Sequence, residues 1–261
     1  MTIGFVPTMG ALHEGHRSLV QKSVDNKDLV VCSIFVNPTQ FNDKTDFEKY
    51  PVTPEADILL LTRAGCHVLF LPDVQEMYPA GTDKGNDYDF GYLDTVLEGA
   101  RRPGHFKGVG QVVARLLQIV QPHNLYMGQK DYQQCMVVRS LLSQMGMQGS
   151  TELVICPTLR EPDGLAMSSR NTRLTEPQRA LAAVIYQCLV SIQGKAAEGN
   201  FAVVQKECLD ILEDKGFKPE YVSLADANDL TLLDNYEAGR PMVALIAAWL
   251  GGVRLIDNLL V

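Results

Sequence analysis

Short runs of strand-forming residues alternate with segments of helical period along the first part of the chain, and this constrains the fold more than any other feature. Thr2 to Val6, Leu29 to Val36 and His67 to Leu71 are apolar and rich in strand formers. Between them, Leu19, Val20 and Val24 follow His16 at helical spacing. A second helix opens with Thr53 as N-cap and Pro54 in the first helical position, and runs through Leu61 to Gly65. Such alternation predicts a parallel sheet with crossover helices. Further on, Val109, Val112, Val113, Leu116, Leu117 and Val120 recur at three- and four-residue spacing, which predicts a helix after Gly108 that Pro122 stops. Asn124 to Met127 reads as the next strand, Asp131 with Gln134 opens a helix to about Met145, and Glu152 to Cys156 closes the series. The expectation is an α/β domain over residues 1–158, a Rossmann-like doubly wound parallel sheet with ligands at the carboxyl ends of its strands.

After Pro157 the texture changes. A polar loop, Arg160 to Gly164, leads to Ser168-Ser169-Arg170-Asn171. Thr175 with Gln178 then starts a helix carrying Leu181, Val184, Ile185, Cys188, Leu189 and Ile192, and another helix runs from about Phe201 to Leu212. Tyr221 to Ala225, Met242 to Leu250 and Val253 to Ile256 read as strands. Residues 159–261 are therefore expected to form a second, smaller α+β domain.

Composition removes several classes of function. With 46 % hydrophobic and 21 % charged residues the chain has the make-up of an ordinary folded protein. Its formal charge of −8 disfavours a protein that coats nucleic acid or an anionic membrane. The uncharged run Pro241 to Val253 is too short to span a bilayer and reads as a buried strand. The first residues lack the basic and apolar stretches of a secretory signal, and the six cysteines show no C-x-x-C pair, so a cytoplasmic protein with reduced thiols is expected.

Chemistry concentrates in a few loops. Met9, Gly10, Ala11, Leu12, His13, Glu14, Gly15 and His16 join the first strand to its helix, where backbone N–H groups and the helix dipole favour an anion. His13 and His16, three residues apart, can face one ligand; they also suit a zinc pair or two capping side chains. Residues 101–173 carry nine Lys and Arg against four acids, a local positive field in an acidic chain. Within it, Gly128-Gln129-Lys130-Asp131 follows a strand and opens a helix. There Lys130 can reach a phosphate and Asp131 a ribose hydroxyl, or the pair can form an exposed turn. Ser168, Ser169 and Arg170 offer hydroxyls and a guanidinium for polyphosphate. Gln40 and Gln134 can each present a donor and an acceptor to a hydroxy acid without gripping its carboxylate as a cation would; the alternatives are a surface loop residue for Gln40 and a capping partner for Gln134.

No Walker loop, G-x-G-x-x-G or nucleophile elbow is present. Taken in order, however, Val6 to His16, Phe35-Val36-Asn37-Pro38-Thr39-Gln40-Phe41, Gly128 to Gln134 and Arg160 to Asn171 resemble the pantothenate synthetase (pantoate–beta-alanine ligase) family. The first element, with its His-x-Gly-His pattern, marks a wider nucleotidyltransferase superfamily. The resemblance implies an AMP-forming carbon–nitrogen ligase. Pantoate and ATP would give pantoyl adenylate and pyrophosphate, and beta-alanine would then give pantothenate and AMP. It also implies a homodimer, and Mg²⁺ held mainly by the phosphates of ATP rather than by protein ligands.

Carried over by motif, His16, His13 and Lys130 would be catalytic. Met9 to His16, Gly128 to Asp131, Leu159, Met167, Ser168, Ser169 and Arg170 would bind ATP, and Gln40 and Gln134 would read pantoate. The smaller domain would act as a lid. Arg101 to Phe106 resembles a further family segment to which no role is assigned. Thr39 and Gln129 depart from the family pattern, and the helix that the family usually carries ahead of the first strand is not in this sequence, so part of the sheet is expected to lose cover. Two other readings stay open: transfer of AMP to a phosphorylated acceptor, and a nucleotide-binding regulator without chemistry.

Overall fold

Phe5 and Val6 are neighbours on the first strand and both are fully buried, which requires cover on both faces of the sheet they join. In the computed structural model, which describes residues 1–27, 29–41, 47–82, 87–196 and 200–261, that sheet has five strands. They are β1 (Ile3–Thr8), β2 (Leu29–Ile34), β3 (Val68–Phe70), β4 (Asn124–Gly128) and β5 (Glu152–Cys156). All neighbours pair in parallel, in the order β3-β2-β1-β4-β5. The order reverses between β1 and β4, the switch point at whose carboxyl side doubly wound proteins bind ligands.

Helices α1 (Glu14–Val24) and α2 (Pro54–Arg63) supply Leu19, Val20 and Leu61 to a core with Val6, Val30, Cys32, Tyr126 and Cys156, and Ala64, the C-cap of α2, joins them. Two short helices follow, α3 (Val74–Met77) and α4 (Leu97–Arg101), and then α5 (His105–Val120). The last begins four residues earlier than the periodicity predicts. Gly104, in the left-handed region at φ 80°, turns the chain into it, and Gln121, also left-handed, ends it just before Pro122. The helix α6 (Tyr132–Gln144) precedes β5.

The chain divides into two compact units, Met1–Gln129 with Gln133–Pro157, and Lys130–Tyr132 with Thr158–Val261. The short segment Lys130–Tyr132, which the sequence reading placed with the first domain, groups with the second unit for a visible reason. Asn258 Nδ2 donates to the Lys130 carbonyl at 2.8 Å, and the Tyr132 hydroxyl donates to the Ala227 carbonyl at 2.6 Å.

The second unit holds an antiparallel sheet in the order β7-β6-β8-β9, built from β6 (Phe217–Asp226), β7 (Leu232–Leu233), β8 (Met242–Leu250) and β9 (Val253–Leu260). Met242, Ala244, Ile246, Ala248 and Leu250 alternate into a core shared with Ile185, Leu189, Val204 and Leu212. Those four come from α8 (Val184–Gly194) and α9 (Phe201–Asp214), which follow the short α7 (Glu176–Ala182). The late apolar run is thus a strand, as its length requires, and no helix among the described residues is long and apolar enough to cross a membrane. All six cysteines are free, and only Cys66 is not fully buried.

Candidate active site

The loop from β1 to α1 is held by its own side chains. His13 is the N-cap of α1, and its Nδ1 accepts the Gly15 N–H at 3.1 Å. His16, three residues on, accepts the His13 N–H through its own Nδ1 at 3.3 Å. A capping box normally pairs Ser or Thr with Glu or Gln, and here two imidazoles fill both positions. Because a backbone N–H can only donate, each Nδ1 is a bare acceptor and each ring carries its hydrogen on Nε2, an assignment made from the hydrogen-bond partners. The rings lie 4.1 Å apart, tilted by 47°. The capping reading of the pair therefore holds, and it leaves Nε2–H as the donor edge of both rings.

The peptide groups of the loop behave differently from the expectation of exposed N–H donors. Asp57, on α2 and only 1 % exposed, accepts from Ala11 N at 3.0 Å and from Leu12 N at 2.8 Å. The Thr53 hydroxyl donates to the same carboxylate at 3.1 Å instead of making an N-cap hydrogen bond. Gly10 N lies 3.3 Å from the Thr8 hydroxyl. The N–H groups of Gly10, Ala11, Leu12, His13 and Gly15 are thus engaged within the protein. Gly10 sits at φ 82°, and a Cβ there would approach Asp57 to 3.1 Å. Ala11, at φ 48°, is left-handed despite its side chain, a conformation that the Asp57 bonds help to hold. Glu14 is exposed and paired with Arg17 at 2.7 Å, so its side chain faces solvent.

After β2, Asn37 is 1 % exposed and organises the next turn. Its Oδ1 accepts from the Tyr78 hydroxyl at 2.8 Å and the Thr39 hydroxyl at 3.1 Å, and its Nδ2 donates to Gln40 Oε1 at 3.1 Å and to the Gly108 carbonyl at 3.2 Å. Burial pushes the Tyr78 phenol above its ordinary range, which keeps it a hydroxyl donor. Gln40 is half-buried, and its Nε2 points at Met9 Sδ, 3.0 Å away. Structure therefore brings Met9 and Gln40 together and orients the amide.

At the end of β4, Gly128 and Gln129 are half-buried, and Gln134 is half-buried in the first turn of α6. Its neighbour Gln133 is the structural glutamine, donating to the Leu93 and Val96 carbonyls and accepting from Glu98 N.

In the second unit, the Lys130 ammonium lies 3.5 Å from the Asp131 carboxylate, with Lys130 mostly covered and Asp131 exposed. Ser168 accepts from Arg170 N at 3.3 Å and opens the 3₁₀ turn Ser169–Arg173. The Leu159 carbonyl accepts Met167 N–H at 3.0 Å, which closes the base of the loop that carries these residues. Arg160 does not add to a ligand field. Its guanidinium pairs with both oxygens of buried Asp257, bonds the Gly164 and Asn258 carbonyls, and stacks 4.0 Å over Tyr186. Lys107, in the first unit, is likewise paired, with Asp87 at 2.7 Å.

Asp57, Asn37 and Thr53 escaped the sequence reading as site residues. The available signal was polarity at the junctions: an acid four residues after Thr53, and an Asn directly before Pro38. Among the described residues no three His, Cys, Asp or Glu side chains gather to cage a metal ion.

A parallel sheet with its reversal at β1 and β4, and the two imidazoles of a His-x-Gly-His sequence on the first crossover, define the class: a Rossmann-like α/β protein of the His-x-Gly-His type. Comparison narrows this. The pantoate-beta-alanine ligase family model matches residues 1–260, and the chain belongs to that family. The pantothenate synthetase of Porphyromonas gingivalis is 46 % identical over 261 residues, spanning 99 % of this chain and 91 % of the relative. That of Cytophaga hutchinsonii is 44 % identical over 263 residues, spanning all of this chain and 92 % of the relative. The crystal structure of pantothenate synthetase from Thermus thermophilus superposes with a TM-score of 0.92 at 41 % identity, covering 99 % of this chain and 93 % of that one. The Francisella tularensis pantoate-beta-alanine ligase, solved in complex with beta-gamma ATP and beta-alanine, gives 0.84 at 39 % identity, covering 99 % and 89 %.

Proposed function

We propose that this chain joins pantoate to beta-alanine in two steps driven by ATP. The pantoate carboxylate attacks the α-phosphorus, the bond to the bridging oxygen breaks, and pyrophosphate leaves. The amine of beta-alanine then attacks the acyl carbon of pantoyl adenylate, loses a proton, and expels AMP. The observation that carries this reading is the double imidazole cap, found in a chain that matches pantoate–beta-alanine ligases from end to end. Two Nε2–H donors fixed in place suit the charge that builds on the phosphates as pyrophosphate departs, the kind of preorganised electrostatics that contributes most to such steps.

His16 and His13 are assigned to the phosphates, with Lys130 as the accompanying positive charge. Met9 to Leu12, Glu14, Gly15, Gly128, Gln129, Asp131, Leu159, Met167, Ser168, Ser169 and Arg170 complete the ATP site. Gln40 and Gln134 are assigned to pantoate. The donor set around the first loop is two imidazoles and one carboxylate already bonded to three donors, which fits Mg²⁺ held mainly by ATP. There the ion would neutralise charge on the leaving pyrophosphate. A homodimer and a cytoplasmic location, in keeping with six unbridged cysteines, complete the proposal. Neither AMP transfer to a phosphorylated acceptor nor a regulator without chemistry has an observation in its favour.

An assay of AMP release decides the matter. AMP should form only with ATP, pantoate and beta-alanine together, while labelled pyrophosphate should exchange into ATP with pantoate alone. AMP formed without the amine, or no exchange with pantoate, would overturn the proposal.

A further inference from the structure

Four of the five histidines accept a backbone N–H through Nδ1. These are His13 from Gly15, His16 from His13, His67 from Val30 at 3.1 Å and His123 from Ile3 at 3.0 Å. His105 is reversed. Its Nδ1 lies 2.8 Å from the Gln40 carbonyl, and Arg102 Nη1 lies 3.1 Å from its Nε2. A carbonyl only accepts and a guanidinium only donates, so both neighbours demand the same state: hydrogen on Nδ1, lone pair on Nε2. The residue is 6 % exposed. It is fixed at the start of α5 by the turn in which His105 N bonds the Arg102 carbonyl at 3.0 Å, with left-handed Gly104 between them.

One turn further on, Gly108 lies so close to the Pro38–Gln40 turn that a Cβ there would stand 2.4 Å from the Thr39 carbonyl oxygen. The Gly108 carbonyl also takes the Asn37 amide. The segment Arg102 to Gly108 therefore grips the Gln40 turn through two hydrogen bonds and one backbone contact.

We infer that His105, oriented by Arg102, is a positioning residue for pantoate recognition, holding the main chain of Gln40 so that its amide meets the hydroxy acid. The inference rests on the assignment of Gln40 to pantoate made above. It gives the Arg102 to Phe106 segment a role: acting on the substrate through Gln40.

The test uses the intact chain in two measurements. In protein carrying ¹⁵N-labelled histidine, His105 should show hydrogen on Nδ1 while the other four show it on Nε2; hydrogen on Nε2 of His105 would overturn the inference without any substitution. In steady-state kinetics, His105→Ala should raise the KM for pantoate on the order of tenfold, with the KM for ATP changed less than about twofold. His105→Asn, whose amide nitrogen can stand in for Nδ1, should recover most of the loss. Equal rises in both KM values, equal damage from Ala and Asn, or a rise confined to beta-alanine would each overturn it. Gln40→Ala separates the two layers. If it raises the pantoate KM while His105→Ala does not, only the positioning role falls; if it leaves that KM unchanged, the Gln40 assignment falls and takes the positioning role with it.

Discussion

The Asp57 carboxylate lies 2.8 Å from the Leu12 N–H, joining the second helix to the phosphate-loop candidate across 45 residues of sequence. With the Ala11 N–H on its other oxygen, it holds a left-handed alanine in place and keeps the loop shaped before any ligand arrives. Removing it leaves two peptide donors without their partner, at roughly 1–3 kcal/mol each. Asp57→Ala is expected to lower unfolding stability by about 3 kcal/mol and to raise the KM for ATP. Urea unfolding midpoints that match the parent chain would show that the carboxylate is dispensable.

His16→Ala and Lys130→Ala are expected to lower kcat by on the order of 10² to 10³ while leaving the fold intact, because their assigned work is done on developing phosphate charge. His13 differs because it also caps α1. His13→Ala should be slow and, in addition, less stable by about 1 kcal/mol, the usual cost of losing an N-cap, whereas His13→Asn should keep the cap and lose the activity. Turnover near the parent rate for both His16→Ala and Lys130→Ala would remove the assignments.

The sheet was legible because it rests on local signals. Runs such as Leu29 to Val36 and the 3.6-period stripe after Gly108 need only neighbours in sequence to be read. What escaped was non-local. Asp57 looks like an ordinary acid in the first turn of a helix, and nothing nearby announces that its partners are Ala11 and Leu12. The start of α5 was misplaced because Gly108 and Gly110 weaken helical propensity, and the reason for a glycine at 108 lies at Thr39. Arg160 adds to the positive count of residues 101–173, but its partner Asp257 lies at the far end of the chain, out of reach of any local pattern. The His-x-Gly-His pattern is visible in sequence, but the tautomers of its rings are not, since a tautomer depends on which peptide groups each ring meets.

Two glycines separate structure from binding. An added Cβ at Gly108 meets backbone that has little freedom to retreat, so Gly108→Ala should cost about 2 kcal/mol and raise the KM for pantoate by displacing the Gln40 turn. At Gly128 an added Cβ meets no atom of the described residues within 4 Å beyond its own chain neighbours. Gly128→Ala should therefore unfold like the parent, yet bind ATP more weakly if the ribose lies against it as assigned. Equal ATP affinity in Gly128→Ala would take this residue out of the site.

Acid should weaken the second unit through Asp226. The Arg240 guanidinium, 2.5 Å away, and the Asn228 N–H hold its carboxyl below the usual range. Arg179 and the Leu165 N–H do the same for Asp163. A carboxyl that ionises more readily folded than unfolded adds stability above the unfolded value of about 3.9, and that stability is lost as pH falls through the lower folded value. Asp257 runs the other way. Burial raises its carboxyl, Arg160 only partly opposes this, and so it does not contribute to the acid loss. Urea midpoints should therefore fall as pH drops below about 4, and Asp226→Asn should flatten that slope, because the amide still accepts the Asn228 N–H but no longer titrates. Arg240→Ala should flatten it similarly by returning Asp226 toward its ordinary value. If Asp226→Asn kept the full acid slope of the parent chain, the protons would be binding elsewhere.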